Sequence, residues 1–157
     1  MKIHLLMIGK SKEKFTEEGY NFYKKRITNY LPFDDFTIPG LRNAGNLLAA
    51  DFKLREGELL IKHFKEDDYV VLLDEQGRKF SSVDFAGFIQ QRMNSGIKNL
   101  TFVIGGAYGF SKDVYNRSNE KISLSAMTFP HQLVRIIFME QLYRAMTILR
   151  NEPYHNE

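Results

Sequence analysis

The sequence predicts an α/β fold: a parallel sheet with helices on both faces. Three observations predict it. Strand-like and helix-like stretches alternate along the chain as βαβαβαβαβα, which brings successive strands together in parallel. The first strand-like stretch, Lys2 to Gly9, is a nearly continuous apolar run, as in a strand buried on both faces. The length of 157 residues suits one domain with a full-sized core, and 1–157 is read as that single domain.

Each element follows in order. After the first strand, Ser11 can cap a helix whose apolar side carries Phe15, Phe22, Tyr23, Ile27 and Tyr30, and Leu31-Pro32 ends it. Phe33 to Ile38 is a second strand, with Asp34 and Asp35 placing it nearer an edge. Asn43 to Phe64 is helical in character, with Leu47, Leu48, Phe52, Leu59, Leu60 and Phe64 as core candidates and Gly57 as a point of bending. Asp68 to Leu73 is a central strand running into a polar turn, Asp74 to Arg78. Ser81 to Asp84 is a capping-box pattern that opens a helix to about Asn94, stopped by Ser95-Gly96. Leu100 to Ile104 is the next central strand, and Ser111 caps a short helix through about Arg117. Lys121 to Ser125 is the last strand.

Pro130 then stands where a first-turn proline belongs, since its missing N–H would have no partner there. Leu133, Val134, Ile137, Phe138, Leu142, Ala145, Met146 and Leu149 keep one face of the closing helix dry. Ile136, Met139 and Tyr143 widen that stripe beyond what one core needs, and a second copy of the chain is the first expectation for the extra face. A fully buried core helix is the alternative. Asn151 to Glu157 reads as a polar tail.

Composition narrows the function. Cysteine is absent, which excludes disulfides, thiolate metal sites and cysteine nucleophiles and fits a reducing compartment. The N-terminal apolar run is too short for a signal peptide and lacks a cleavage site, and no run approaches membrane-spanning length. A cytoplasmic protein with no membrane partner is expected. The formal charge of +3 is a mild basic bias, compatible with nucleic acid. Lys24-Lys25-Arg26 is either a set of cations favouring a helix C-terminus or a phosphate-contacting patch.

Ligands on parallel sheets bind beyond the carboxyl ends of the strands. Three such ends are unusual: Leu73 to Gly77, Gly105 to Gly109 and Leu124 to Phe129. Their convergence would make the pocket. The glycine loop lacks G-x-G-x-x-G spacing and no P-loop pattern occurs, so ordinary dinucleotide and P-loop readings lose their support. Gly105-Gly106 can bring backbone close to a ligand or simply make a tight turn. Asp74 and Glu75 read better as solvated turn acids than as catalytic carboxylates. His4, His63, His131 and His155 have no metal-ligand spacing, so no metal is expected. No G-x-S-x-G supports a hydrolase triad.

Five segments occur in order: Leu72 to Gly77, Phe102 to Gly109, Leu124 to Gln132, Glu140 to Ala145 and Pro153 to His155. Together they resemble the RlmH family of bacterial ribosomal RNA methyltransferases in the SPOUT superfamily, over essentially the whole chain. The resemblance implies a C-terminal trefoil knot, a homodimer with its cofactor site at the dimer interface, and S-adenosyl-L-methionine as cofactor. It implies methylation of 23S rRNA within the ribosome, at N3 of pseudouridine-1915 in the helix 69 hairpin. Carried over by motif, Leu73, Gly105, Leu124, Ser125, Ala126, Met127, Thr128 and Phe129 would hold the cofactor. Arg144, Tyr154 and His155 are the catalytic candidates. Arg144 stabilises a developing anion, grips phosphate, or only pairs with Glu140 one turn away. Tyr154 can stack on a base and His155 has the intrinsic pKa of a proton acceptor, unless the terminus is simply disordered. Arg135 is assigned to RNA or to a partner subunit without a settled role, and no function is placed on Asn43 to Phe64. A non-catalytic ribosome- or RNA-binding protein keeping the same fold is the competing reading. A flavodoxin-like nucleotide enzyme is a distant third.

Overall fold

The computed structural model describes residues 1–42 and 44–156. Five strands form one all-parallel sheet: β1 (Lys2–Ile8), β2 (Phe33–Ile38), β3 (Asp68–Lys79), β4 (Asn99–Ile104) and β5 (Glu120–Ser123), in the order β2-β1-β4-β3-β5. The helices are α1 (Lys14–Ile27), α2 (Ala49–Ile61), α3 (Ser82–Asn94), α4 (Lys112–Arg117) and α5 (His131–Leu149).

The continuous apolar runs behave as the physics of a two-sided sheet requires. Successive side chains point to opposite faces. Ile3, Leu5 and Met7 of β1 join Leu100, Phe102 and Ile104 of β4 on the face covered by α1, α3 and α5. Leu6 and Ile8 join Val70, Leu72 and Val103 on the other face, with Leu60 of α2 and Val114 of α4. Phe102 and Phe138 meet with ring centroids 4.8 Å apart at the heart of the larger core.

Helix α5 lies against both α1 and α3. Its buried stripe is Arg135, Phe138, Met139, Leu142, Ala145, Met146 and Thr147. Leu133 and Ile137 are left half-buried. Ile136 instead packs on α1, where a Cβ at Gly19 would stand 3.3 Å from it. Pro130 is one position earlier than expected: it is the N-cap, and its carbonyl accepts from the amides of Leu133 and Val134.

Several expectations need correction. Ser11 does not cap α1; the helix starts later, with Glu13 at the N-cap, and the Ser11 hydroxyl pairs with that of Thr16. Phe15 and Phe22 are exposed rather than core; the core side of α1 is carried by Tyr20, Tyr23 and Ile27, and these two rings lie outside it. Asn43 lies outside the described residues. A short 3-10 turn at Ala44–Asn46 precedes α2, Leu48 is exposed, and Gly57 does not divide the helix. Gly57 lets α4 approach: a Cβ there would stand 2.2 Å from Ser111 Oγ. The stretch Asp74 to Arg78 is not a free turn. Strand β3 runs through it, and β5 pairs first with 71–73 and then, after a register shift, with Arg78 and Lys79. Gly77 permits this, since a Cβ there would meet the Ile122 backbone at 2.6 Å. The caps at Ser81 and Ser111 are as expected, each hydroxyl accepting from the amide three residues on. Among the described residues no helix is long and apolar enough to cross a membrane.

Candidate functional site

The three unusual strand ends converge. Beyond the carboxyl ends of β3 and β4 lies a cleft of about 520 Å³ walled by Leu73, Gly105, Leu124, Ser125, Met127, Thr128 and Phe129. Ala126 belongs to the same bend but is exposed and outside the wall. Ser123 and Ser125 shape that bend: Ser123 Oγ donates to the Ser125 carbonyl and Ser125 Oγ accepts from the Met127 amide, both at 2.9 Å. Gly105 needs its missing side chain, because a Cβ would stand 2.9 Å from the Phe110 ring. Gly109, at φ +79°, closes the loop in the left-handed region.

The cleft has two characters. Leu73, Ile104, Leu124, Phe129 and Val134 make an apolar slot, and bent backbone supplies amides and carbonyls at its rim. Asp74 and Glu75 add an acidic side. Asp74 is more organised than a solvated turn acid: Oδ1 accepts from the Gln76 amide at 2.8 Å, and Oδ2 accepts from the Tyr115 hydroxyl. Burial and that bond push the Tyr115 phenol up to about 12, so it stays a donor at neutral pH. His131, at the first turn of α5, also lines the cleft, and burial and Arg135 hold its pKa below the ordinary value.

Arg144, Tyr154 and His155 are elsewhere in the same chain. Asn151, at φ 54°, ends α5 and turns the tail back along it. The tail is therefore docked, not frayed. Arg144 Nε donates to Glu140 Oε1 at 3.0 Å, and the Tyr154 hydroxyl donates to the same oxygen at 3.1 Å. Arg144 Nη1 lies 3.2 Å from His155 Nδ1; a guanidinium only donates, so Nδ1 accepts. The Tyr154 ring sits edge-on to Tyr143, centroids 4.7 Å apart, and the guanidinium carbon of Arg144 lies 4.7 Å from the Tyr154 ring centre. The ion pair with Glu140 raises the Arg144 pKa, and burial, with Tyr23 and Glu140 beside it, raises that of Tyr154. Val134 in the cleft and Arg144 in this cluster are separated by about 15 Å of helix, at roughly 1.5 Å per residue.

Other charged candidates are already committed. Buried Arg135 donates to the carbonyls of Ile8 at 2.7 Å and Gly9 at 2.6 Å, tying α5 to the end of β1. Lys24 pairs with Asp35 at 2.8 Å, and Arg26 covers the Phe22 ring at 3.5 Å. Among the described residues no group of three or more His, Asp or Glu is placed to hold a metal ion.

Sequence reasoning missed two residues of α2. Lys53 lines the cleft, and Glu56, 4% exposed, lies directly behind Gly106. The available signal was spacing: Phe52, Glu56 and Leu60 recur every fourth residue, which puts a carboxylate on the apolar stripe.

Comparison with known proteins agrees with this geometry. The family model described as "Predicted SPOUT methyltransferase" matches residues 1–155. A protein of Parabacteroides distasonis named ribosomal RNA large subunit methyltransferase H is 52% identical over 157 residues, covering 100% of both chains. Its namesake from Christiangramia forsetii is 52% identical over 99% of both chains. Among solved structures, a probable methyltransferase from Bordetella pertussis Tohama I superposes with a TM-score of 0.56 at 10% identity, covering 92% of this chain and 96% of that one. A probable methylase family protein from Haemophilus influenzae gives 0.53 at 11% identity, covering 99% of this chain and 70% of that one. With one sheet order, one cleft and full-length identity near one half all in agreement, the chain belongs to the SPOUT methyltransferase family, in its RlmH branch.

Proposed function

We propose that this methyltransferase uses S-adenosyl-L-methionine to methylate 23S rRNA at N3 of pseudouridine-1915 in the helix 69 hairpin, acting as a homodimer in the cytoplasm. The observation that carries the reading is the convergence of Leu73, Gly105, Leu124, Ser125 and 127–129 on one cleft, in a chain half identical to proteins named for ribosomal RNA methylation. The threaded C-terminal trefoil belongs to the same reading: β5 pairs with two separate parts of β3 before the chain leads through 124–130 into α5.

The cleft fits the cofactor on its own features. It has an apolar slot for a flat heterocycle, backbone groups at the rim, a close approach at Gly105 that a Cβ would block, and carboxylates for a cationic ligand. Leu73, Leu124 and Phe129 would hold the adenine, while Gly105 and the backbone of 125–128 would read its edge and the ribose. When bound, the cofactor supplies an already activated methyl group, so the protein's task is placement and exclusion of water.

The remaining demand is the N3 proton of the target base. Arg144 offers a fixed positive charge for the developing anion, Tyr154 a ring to stack on the base and His155 a proton acceptor. In one chain these groups stand a long way down α5 from the cleft. A second copy packed along α5 in the opposite sense would bring its tail cluster to the first copy's cleft. Half-buried Leu133 and Ile137 give that contact an apolar face. The test is mass spectrometry of 23S rRNA fragments from deletion and complemented strains, with the solution mass of the protein. A pseudouridine that loses its N3 methyl on deletion and regains it on complementation is expected. Unchanged modification would remove the proposal.

A further inference from the structure

Helix α2 carries a charge that the reaction as described does not use. Glu56 is 4% exposed, and its Oε2 has no hydrogen-bond partner among the described residues. It is aimed at the cleft wall: a Cβ on Gly106 would stand 2.3 Å from that oxygen, and Gly106 itself lines the cleft. Lys53, one turn earlier on the same face of α2, reaches the cleft directly. A buried carboxylate without a partner is costly, so its position behind a wall of the cleft asks for a cationic ligand on the other side.

We propose that Glu56 is a positioning charge that reads the charge state of the methyl donor, favouring the sulfonium form over the neutral thioether left after transfer. The proposal rests on the S-adenosyl-L-methionine reading above. The donor carries one positive charge more than S-adenosylhomocysteine, while the two share their adenosine and amino-acid parts. Contacts with those shared parts cannot tell donor from product. A carboxyl group behind a glycine, which puts no side chain between it and the ligand, can, because its ionised form is favoured by the sulfonium and not by the thioether. Once the methyl group has left, the attraction is gone and exchange of product for fresh donor is favoured.

The titration of Glu56 supports this. Burial pushes its carboxyl up to about 7, so it is poised near neutrality until a cation arrives. Around it, Lys53, Asp74, Glu75 and Tyr115 line the cleft. Arg55 and Glu58 of α2 and Lys112 and Asp113 of α4 are exposed. Burial is the cause of the shift.

The test compares binding of S-adenosyl-L-methionine and S-adenosylhomocysteine to the full chain and to Glu56→Gln by titration calorimetry. Removing a charge that acts through protein rather than water weakens donor binding by about tenfold, with product binding changed by less than about twofold. Equal weakening of both ligands, or of neither, would overturn the proposal. A second measurement needs no variant. In buffers of different ionisation enthalpy near neutral pH, donor binding to the unaltered protein should release protons and product binding far fewer; equal release would also overturn it. A protein that binds neither ligand would overturn the parent function and this inference with it, whereas one that binds both without discrimination overturns only the role of Glu56.

Discussion

The cleft at the end of the sheet and the polar cluster at the end of α5 are built in opposite ways. The cleft is made from three bends far apart in sequence, and its essential parts are backbone, small residues and an apolar slot. The tail cluster is made from neighbours on one helix and the few residues after it, and its parts are charged or aromatic side chains that satisfy one another. One region offers a cleft backed by a buried carboxylate whose Oε2 has no hydrogen-bond partner among the described residues; the other offers charged and aromatic groups bonded to one another. The difference teaches that the two regions supply different things, a slot of backbone and apolar surface in one and interlocked side-chain chemistry in the other, and the proposed dimer is the arrangement that would join them across copies of the chain.

The largest test of this contrast is truncation before Pro153. Methyl transfer to 23S rRNA should fall by about a hundredfold or more, the scale of lost acid–base and positioning groups, while donor affinity by calorimetry stays within about twofold. Activity that survives would return the tail to a purely structural role. Arg144→Ala should cost a similar order in turnover, about a hundredfold for one lost charge-stabilising donor. Arg144→Lys would restore part of it only if charge, rather than the fork bonded to Glu140, is what matters.

Gly105→Ala probes the other region. The new Cβ meets the Phe110 ring at 2.9 Å, and overpacking of this kind costs about 1–3 kcal/mol. Donor affinity should drop by roughly tenfold, with the tail network and the fold intact by circular dichroism.

Glu56→Gln gives a smaller effect with a distinctive sign. A carboxyl raised by burial to about 7 is less acidic folded than unfolded. It therefore subtracts stability as pH rises from its unfolded pKa of about 4.3 to its folded one, beyond which the penalty is constant. The cofactor-free variant should melt higher than the unaltered protein above neutral pH, and the gap should close toward pH 4. A gap independent of pH would mean the carboxylate is solvated.

The smallest effect belongs to an ion cluster that shares no residue with the cleft wall or with the tail hydrogen bonds. At the opposite edge of the sheet Lys2 and His4 flank Asp34. Burial alone would raise its carboxyl, but the bonds from Lys2 and His4 hold it below the usual range. Its contribution is present above the unfolded pKa and is lost as pH falls through the folded one. Asp34→Asn should lower the melting temperature slightly near neutrality and not at all in strong acid, with methyl transfer unchanged.

Much of this was legible in one dimension. Unbroken apolar runs in β1, β3 and β4 demanded a sheet covered on both faces, and alternation with amphipathic stretches demanded parallel pairing. Ser81 and Ser111 marked helix starts because an N-cap is a local hydrogen bond within four residues. The cleft residues were legible as strand ends, and the tail residues through a resemblance spread over the chain. What failed was whatever depended on a neighbour distant in sequence. Asp74 to Arg78 looked like a turn because polarity and glycine signal turns; it is strand because β5 lies against Gly77. Phe15 and Phe22 looked like core because periodicity locates an apolar face without saying what covers it.

The local chemistry of the chain was enough to determine the class of fold, the places where backbone had to bend and the residue types available for binding. Only tertiary structure decided that three of those bends share one cleft, that Glu56 sits behind Gly106, and that Arg144 and the tail face one another rather than the cleft. The physical reason is range. Periodicity, capping and turn preference act over a few residues, while electrostatics and packing act over ångströms of space, and the fold alone converts one measure into the other.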